Sequence, residues 1–334
     1  MKQNIENKRP MLIDPFGRRI EYLRLSLTDK CNLRCFYCMP NGFKDFEHKE
    51  SWLTYNEIEK VIKAFTELGV ARVRLTGGEP LVRKNISELA RRLTTLPGLD
   101  DLSLSTNAVL LARQADELQQ AGISRINVSL DTLKPEAFSK ITGGSLKPVL
   151  DGLMAAKEAG FSPIKINMVA MKGINDDEFE EMVEFCLQHD FTLRFIETMP
   201  MGSTGDEAGK HYINLQSVKQ QLAKRYPLIP GVMHGGGPAR YVQIRNTRLR
   251  IGFITPISQH FCETCNRVRL SVDGTLYLCL GQDDKVALRP LLRDGISHDE
   301  LKTVIIHAIG QKPEKHEFNH KSHQVVRLMS MTGG

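Results

Sequence analysis

Between residues 22 and 197, short β-rich runs and helical patterns alternate about six times. The runs cover 22–27, 72–76, 101–105, 125–130, 164–170 and 192–197, with helical patterns at 55–68, 111–121, 148–159 and 177–188 between them. Three of these patterns close on Gly69, Gly122 and Gly160, each followed by an apolar residue, Val70, Ile123 or Phe161. Glycine takes the left-handed conformation that ends a helix, and the apolar residue packs back on it. Such alternation predicts parallel strands joined by helical crossovers. A parallel sheet covered by helices on both faces is apolar on both faces, and these runs are not. Leu23, Leu25 and Leu27 alternate with Arg24, Ser26 and Thr28, and Val73 and Leu75 with Arg74 and Thr76. Ile126, Val128 and Leu130 alternate with Asn127, Ser129 and Asp131. One face therefore meets helices and the other is polar. The predicted fold is α/β: a partial, open βα barrel of six units around a wet, polar lumen, too few units for a closed barrel.

After about residue 205 the pattern changes. A helix is predicted over 215–224, with hairpins over 239–245 and 248–254 around Asn246-Thr247, and over 267–272 and 275–280 around Asp273-Gly274. Asp-Gly between such runs is a strong turn signal. This part reads as a C-terminal α+β extension that closes the barrel. The expected division is an N-terminal segment 1–20, the barrel 21–205, a C-terminal domain 206–310 and a tail 311–334 ending in Gly333-Gly334. The stretch from His234 to Pro238 contains three glycines but no G-x-S-x-G elbow accompanies it, so it reads as a flexible loop.

The cysteines fall into two triads. Cys31, Cys35 and Cys38 form C-x3-C-x2-C just after the first strand, on the end where barrel enzymes place their chemistry. Three thiolates can hold three irons of a cubane cluster and leave the fourth open, whereas a structural zinc site wants a closed set of ligands. His48 is the nearest further candidate ligand. Cys262, Cys265 and Cys279 form C-x2-C-x13-C, again without a fourth cysteine, and His260 could complete a zinc site there. Cys186, between Phe185 and Leu187 in a helical pattern, reads as buried.

C-x3-C-x2-C with Tyr37 before its third cysteine, followed by Gly77-Gly78-Glu79-Pro80 after the second strand, resembles the radical S-adenosylmethionine (SAM) superfamily. The second triad, its first two cysteines within 258–269, the segment 14–18 and the terminal Gly333-Gly334 narrow the resemblance to the GTP 3′,8-cyclase branch. The resemblance implies a radical SAM lyase of molybdenum cofactor biosynthesis with two [4Fe–4S] clusters. A 5′-deoxyadenosyl radical would take hydrogen from C3′ of GTP, and the sugar radical would attack C8, giving 3′,8-cyclo-7,8-dihydro-GTP. It further implies SAM contacts from Tyr37, Gly78, Ser129 and Met199, and GTP contacts from Arg24, Arg74, Ser105, Lys165, Arg194, Arg267 and Arg269. Arg24, Arg267, Arg269, Gly333 and Gly334 would serve catalysis, the glycine tail entering the active site. Ser105 and Ala108 stand where the family usually has Thr and Gly. The implied partners are a flavodoxin- or ferredoxin-like electron donor and the cyclic pyranopterin monophosphate synthase that takes the product; a second copy of the chain is a further candidate. The alternative is a radical SAM enzyme with an auxiliary cluster acting on another substrate, such as a peptide.

Physical arguments converge on part of this. Gly78, lacking a side chain, lets backbone approach a ligand closely. Arg24, Arg74, Lys165 and Arg194 sit on polar strand faces without matching strand carboxylates, which asks for a polyanion. The competing reading pairs each of them with a loop Asp or Glu. No Walker A motif offers a phosphate loop. Over 334 residues the net charge is +6, and a single Trp with 7% aromatic residues lacks the basic, aromatic-interleaved surface of a nucleic-acid binder. No run reaches the ~18 apolar residues of a membrane span. The polar stretch up to Arg19 has no apolar signal region, and seven cysteines, an odd number, suit a reducing, cytoplasmic compartment.

Overall fold

The computed structural model describes residues 11–40, 42–233, 236–318 and 327–333. Six βα units come first. Strands β1 (Tyr22–Ser26), β2 (Arg72–Thr76), β3 (Asp101–Thr106), β4 (Arg125–Ser129), β5 (Ile164–Ala170) and β6 (Thr192–Glu197) are linked by helices α1 (Tyr55–Glu67), α2 (Ile86–Thr94), α3 (Ala115–Gln120), α4 (Pro135–Thr142), α5 (Lys147–Glu158) and α6 (Phe179–His189). Helices α7 (Gly205–Lys210) and α8 (Leu215–Arg225) follow, then β7 (Leu228–Gly231), β8 (Arg240–Ile244), β9 (Arg250–Ile254), β10 (Arg267–Leu270), β11 (Thr275–Tyr277) and β12 (Lys285–Ala287). Helices α9 (Arg289–Arg293), α10 (His298–Ile309) and α11 (Met329–Thr332) complete the chain.

All twelve strands join one sheet in the order β12-β11-β10-β1-β2-β3-β4-β5-β6-β9-β8-β7. The eight inner strands, β10 to β9, run parallel, and the outer ones pair antiparallel. The edge strands β12 and β7 do not meet, so the barrel is open, as the sequence predicts. Both predicted hairpins form, but each lends one strand to the parallel sheet: β10 lies beside β1 and β9 beside β6. Turn chemistry brings two strands together and says nothing about a third neighbour. Helices α2, α4, α7, α9, α10 and α11 lie outside the predicted helical patterns, and all but α10 are short; the predicted helix 111–121 begins as a 3₁₀ turn at Leu111–Arg113.

The local causes are those expected. Thr54 and Glu57 form a reciprocal capping box at the start of α1, and Gly69, Gly122 and Gly160 all have positive φ at helix ends. Leu23, Leu25, Val73, Leu75, Leu104 and Ile126 are fully buried against Ile58, Val61, Phe65, Leu89 and Leu93 of the helices. Cys186 is fully buried in the same core, as expected. The opposite face is not wet throughout: Arg24, Arg194 and Lys165 are 8%, 4% and 6% exposed. The C-terminal strands and α11 cover it, leaving enclosed cavities.

Candidate active site

The loop after β1 carries the first triad, and the segment after β2 braces it. The Leu27 amide donates to Thr76 O at 2.8 Å, the Gly78 amide to Thr28 O at 2.7 Å and the Glu79 amide to Lys30 O at 2.8 Å. A Cβ on Gly78 would collide with the Lys30 carbonyl and come within 2.8 Å of the Asp29 carbonyl oxygen. One on Gly77 (φ +149°) would collide with the Thr28 carbonyl. Gly78 does line the cavity beside the thiols, yet close passage of the cysteine loop, rather than of a ligand, is what forbids a side chain. Gly78→Ala is therefore expected to displace the loop and lose the first cluster, read as about half the iron per chain under anaerobic preparation, with the second cluster retained.

Glu79 is a buried hub. Its carboxylate accepts from the Leu81 amide (3.1 Å), Thr106 Oγ1 (2.7 Å) and the Asn107 amide (2.6 Å). Burial, opposed by these donors, raises it to about 7. Asn107 in turn reaches Cys31 Sγ (3.7 Å) and Asn32 Oδ1 (2.8 Å) through Nδ2.

Cys31, Cys35 and Cys38 line a cavity of about 190 Å³. All four residues expected at SAM, Tyr37, Gly78, Ser129 and Met199, line it too, as does Ser105. Tyr37 donates to Asp131 Oδ2 at 2.6 Å, and Asp131 Oδ1 accepts from the Val169 amide at 2.8 Å. Burial raises Asp131 to about 6. Burial also raises Cys31, raises Cys35 well above its usual range with help from Cys38 and Asp131, and pushes Cys38 up to about 12. Thiols so placed ionise when a bound metal takes the charge, so the donor set fits an iron–sulfur cluster. Among the described residues no His, Cys, Asp or Glu group converges as a single-ion site. Asn167 Oδ1 and Thr198 Oγ1 are buried without hydrogen-bond partners, and both residues line the cavity. With Asp131 and Ser330 they belong to the site although sequence reading singled out none as a ligand contact. Asp131 and Asn167 carried a signal, as polar residues alternating with apolar ones along predicted strands.

The second triad lines a separate cavity of about 70 Å³, together with Arg267, Arg269, Lys312 and His316. Met199 lines both cavities and stands between the triads. A nearby backbone N–H favours the ionised form of each thiol: that of His316 for Cys262, of Arg267 for Cys265 and of Gly281 for Cys279. Burial opposes ionisation of Cys265, but Lys312 and Arg267 outweigh it and the net shift is downward. His260 lines an outer cavity with Cys262 and Arg18 instead, and the exposed His48 caps a 3₁₀ turn. His316, rather than His260, is the histidine that lines the cavity of the three thiols. The 14–18 segment ties this site together. Arg18 pairs with buried Asp14 and donates to the carbonyls of Cys262 (2.9 Å), Glu314 (2.5 Å) and Pro313 (2.6 Å).

The expected cations form rows across the polar face. Arg24 is level with Arg74 on one side and Arg269 on the other; Asn127 is level with Lys165, and Asn167 with Arg194. Arg125 pairs with Asp101 and Arg72 with Glu21. Among the described residues none of Arg24, Arg74, Lys165, Arg194, Arg267 and Arg269 has a carboxylate partner, so the loop-pairing reading fails for these six. Arg74 donates to Ser103 Oγ at 3.3 Å and Arg194 to Asn127 Oδ1, while Nε of Arg24, Arg194 and Arg267 is buried and unpaired. Burial, then the neighbouring cations Arg194, Arg125 and Arg74, pushes Lys165 down to about 7. Burial lowers Arg194 and Arg269 to about 10, and burial with Arg269 lowers Arg24 well below its usual value. Tyr22, Arg72, Arg125 and Tyr241 join Arg74, Lys165 and Arg194 around a polar cavity, which Gly236 and Gly237 close. His234 and Gly235, from the same glycine stretch, lie outside the described residues.

The tail is threaded inward. Ser330 and Thr332 of α11 are 3% and 0% exposed. Arg269 donates to the carbonyls of Thr332 (3.3 Å) and Gly333. Gly333 has φ +72°, and a Cβ there would collide with the Thr76 side chain, its Oγ1 2.7 Å away. Gly334 lies outside the described residues. Ala108, where the family usually has Gly, holds φ +61° and is fully buried.

An open βα sheet with a three-cysteine loop on its first strand is the arrangement of the radical SAM class. A family model described as the Radical SAM superfamily matches residues 25–186, and one described as Molybdenum Cofactor Synthesis C matches residues 191–318. A GTP 3′,8-cyclase of Hydrogenovibrio crunogenus is 48% identical over 331 residues, covering 97% of this chain and 99% of the relative. One from Paracoccus denitrificans is 47% identical, covering 97% and 96%. Among solved structures, Streptococcus suis SuiB bound to its precursor peptide SuiA matches with a TM-score of 0.59 and 14% identity over 91% of this chain and 76% of that one. At that identity the likeness is one of fold. The chain belongs to the GTP 3′,8-cyclase family, radical SAM lyases that take the first step of molybdenum cofactor biosynthesis from GTP, with SAM and two [4Fe–4S] clusters.

Proposed function

We propose that this chain carries out the conversion of GTP to 3′,8-cyclo-7,8-dihydro-GTP with Cys31, Cys35 and Cys38 on the cluster that binds SAM, and Cys262, Cys265 and Cys279 on the cluster that receives the guanine edge. The observation that carries the assignment is the pair of three-thiol cavities meeting at Met199, with six cations lacking carboxylate partners among the described residues along the same sheet face. When bound, the first cluster and SAM supply a hydrogen-abstracting radical. Tyr37, Gly78, Ser129 and Met199 surround that cofactor. Arg74, Lys165 and Arg194, on strands, hold the triphosphate, with Ser105 contributing to GTP. Arg24, Arg267 and Arg269 stand between the clusters and act on the reacting nucleotide, oriented by Gly333 and Gly334. The working units are the segment 1–20, the barrel 21–205, the second-cluster domain 206–310 and the tail 311–334. A flavodoxin- or ferredoxin-like donor supplies electrons in the cytoplasm, cyclic pyranopterin monophosphate synthase takes the product, and a homodimer is the proposed assembly. No described helix is long and apolar enough to cross a membrane.

The test is anaerobic incubation with GTP, SAM and a reductant. GTP-dependent release of 5′-deoxyadenosine with the cyclised nucleotide is expected; SAM cleavage with GTP left intact would overturn the assignment.

Two further outcomes are expected. Removing Gly333 and Gly334 leaves iron content and GTP affinity near normal and stops cyclisation, measured as product per 5′-deoxyadenosine. The second concerns pH. Lys165 is half-charged near 7 without ligand, and a bound triphosphate favours its charged form. GTP binding above neutrality is therefore coupled to proton uptake, and affinity falls as pH rises from about 7 to about 9. Calorimetry in buffers of different ionisation enthalpy reads this directly, and Lys165→Met removes it. In the unliganded protein the unfolded chain binds this proton more tightly, so Lys165 makes stability rise with pH between about 7 and about 10.5.

A further inference from the structure

Arg327 stands at the root of the tail, just before α11. Its side chain is 5% exposed and pairs through Nη1 with Asp283. Nη2 donates to the carbonyls of Cys279 (2.9 Å), Leu280 (2.5 Å) and Gln282 (2.7 Å), and the guanidinium lies 4.5 Å over the Tyr277 ring. These contacts all grip one turn, the turn that presents the third thiol of the second triad. From the other side Gly202 closes on the same point, where a Cβ would come within 3.0 Å of the Arg327 carbonyl.

Three residues further on, the Ser330 backbone N–H lies near enough to the Cys38 thiol of the first triad to favour its ionised form. Ser330 lines the first cavity beside Cys38. As the second residue of α11 its N–H has no acceptor within the helix. The short span from Arg327 to Ser330 therefore touches both triads. It does so through a side chain at one end and an amide at the other. An N–H aimed at a cluster thiolate stabilises the more negative, reduced state and raises the reduction potential.

We propose that Arg327 is a positioning residue that fastens the tail to the Cys279 turn, keeps the Ser330 amide on Cys38, and so ties the reduction potential of the first cluster to an ordered second site. The first cluster is then easier to reduce when the second site is intact, which limits wasteful SAM cleavage by a protein with a damaged second site. This inference rests on the two-cluster assignment above.

The experiment compares the unaltered full chain, Arg327→Gln, Ser330→Pro and Ser330→Ala, each carrying both clusters. Redox titration follows the electron paramagnetic resonance signal that added SAM perturbs, and hydrogen exchange follows the tail peptide. Pro removes the Ser330 N–H at a position in the first helical turn where proline is tolerated, whereas Ala keeps it. Arg327→Gln and Ser330→Pro are expected to shift the midpoint to more negative potential, and Ser330→Ala to leave it in place. Exchange in the tail should rise in Arg327→Gln and stay near normal in Ser330→Ala. If Arg327→Gln does not accumulate, Ser330→Pro tests the same link from its other end. An unchanged midpoint in both Arg327→Gln and Ser330→Pro, beside a normal SAM-sensitive signal in the unaltered protein, would overturn this inference alone. Absence of any SAM-sensitive signal in the unaltered protein would overturn the two-cluster assignment and this inference with it.

Discussion

Replacing Cys31, Cys35 or Cys38 by alanine is expected to abolish SAM cleavage, while replacing Cys262, Cys265 or Cys279 abolishes GTP cyclisation and leaves some uncoupled SAM cleavage. The asymmetry follows from the cavities. Tyr37, Gly78 and Ser129 surround the first triad, and none of them reaches the second. Neither triad has a spare thiol: Cys186 is fully buried in the core, away from both. The first-triad thiols are also costly to ionise unless a metal takes their charge, so two of them hold a cluster poorly. Each variant should therefore lose about half of the iron and acid-labile sulfide found in the anaerobic, unaltered protein. Met199 lines both cavities but no cysteine does, which keeps the two losses distinguishable. Stoichiometric zinc and no iron at the second triad in natively prepared protein would refute the two roles.

Removing a strand cation should weaken GTP binding by roughly one to two decades while leaving the first cluster intact. Charge-assisted contacts are worth ~1.5–3 kcal/mol each. Lys165, Arg74 and Arg194 are held by hydrogen-bonded strands, so little reorganisation is needed to meet a fixed anion. Burial, and then repulsion from Arg194, Arg125 and Arg74, takes Lys165 down to about 7 without a ligand. A triphosphate relieves that repulsion. Arg125 is a useful contrast: already paired with Asp101, it should matter less to GTP than Lys165 does. Arg267 and Arg269 line the cavity of the second thiols and Arg24 is level with Arg269, so loss of any of the three should reduce turnover more than affinity. Comparing GTP with guanosine by calorimetry separates the roles. Guanosine should bind weakly and respond little to Lys165→Ala. Equal binding of both, or equal loss of both in the variant, would assign these cations to internal structure.

A protein crystallised with a bound precursor peptide, SuiB, shares this fold, so the fold leaves the substrate open. In the proposed assignment the second triad and the cations select the substrate. Both are legible as residue types on predicted strands and loops, and near-half identity to GTP 3′,8-cyclases over almost the whole chain agrees with them.

What the amino-acid order determined by itself is local. Leu23, Leu25 and Leu27 alternating with Arg24, Ser26 and Thr28 assign the two faces of β1, because side chains on a strand point alternately. The glycines at 69, 122 and 160 mark helix ends, because only a residue free to take positive φ closes them cheaply. Cysteine spacing marks two ligand loops, because the ligands of each are near neighbours in the chain. What only the tertiary structure decided is which distant segments meet. β9 and β10 flank the barrel through backbone pairing with β6 and β1, and backbone hydrogen bonds carry no residue-specific signal. Gly78 is required by the carbonyl of Lys30, and His316 rather than His260 lines the cavity of the second thiols. Arg327 and Ser330 span the two triads from a tail whose polar residues alone would suggest a frayed end. Each of these contacts is made across tens to hundreds of residues, where neither periodicity nor spacing constrains who the partner is.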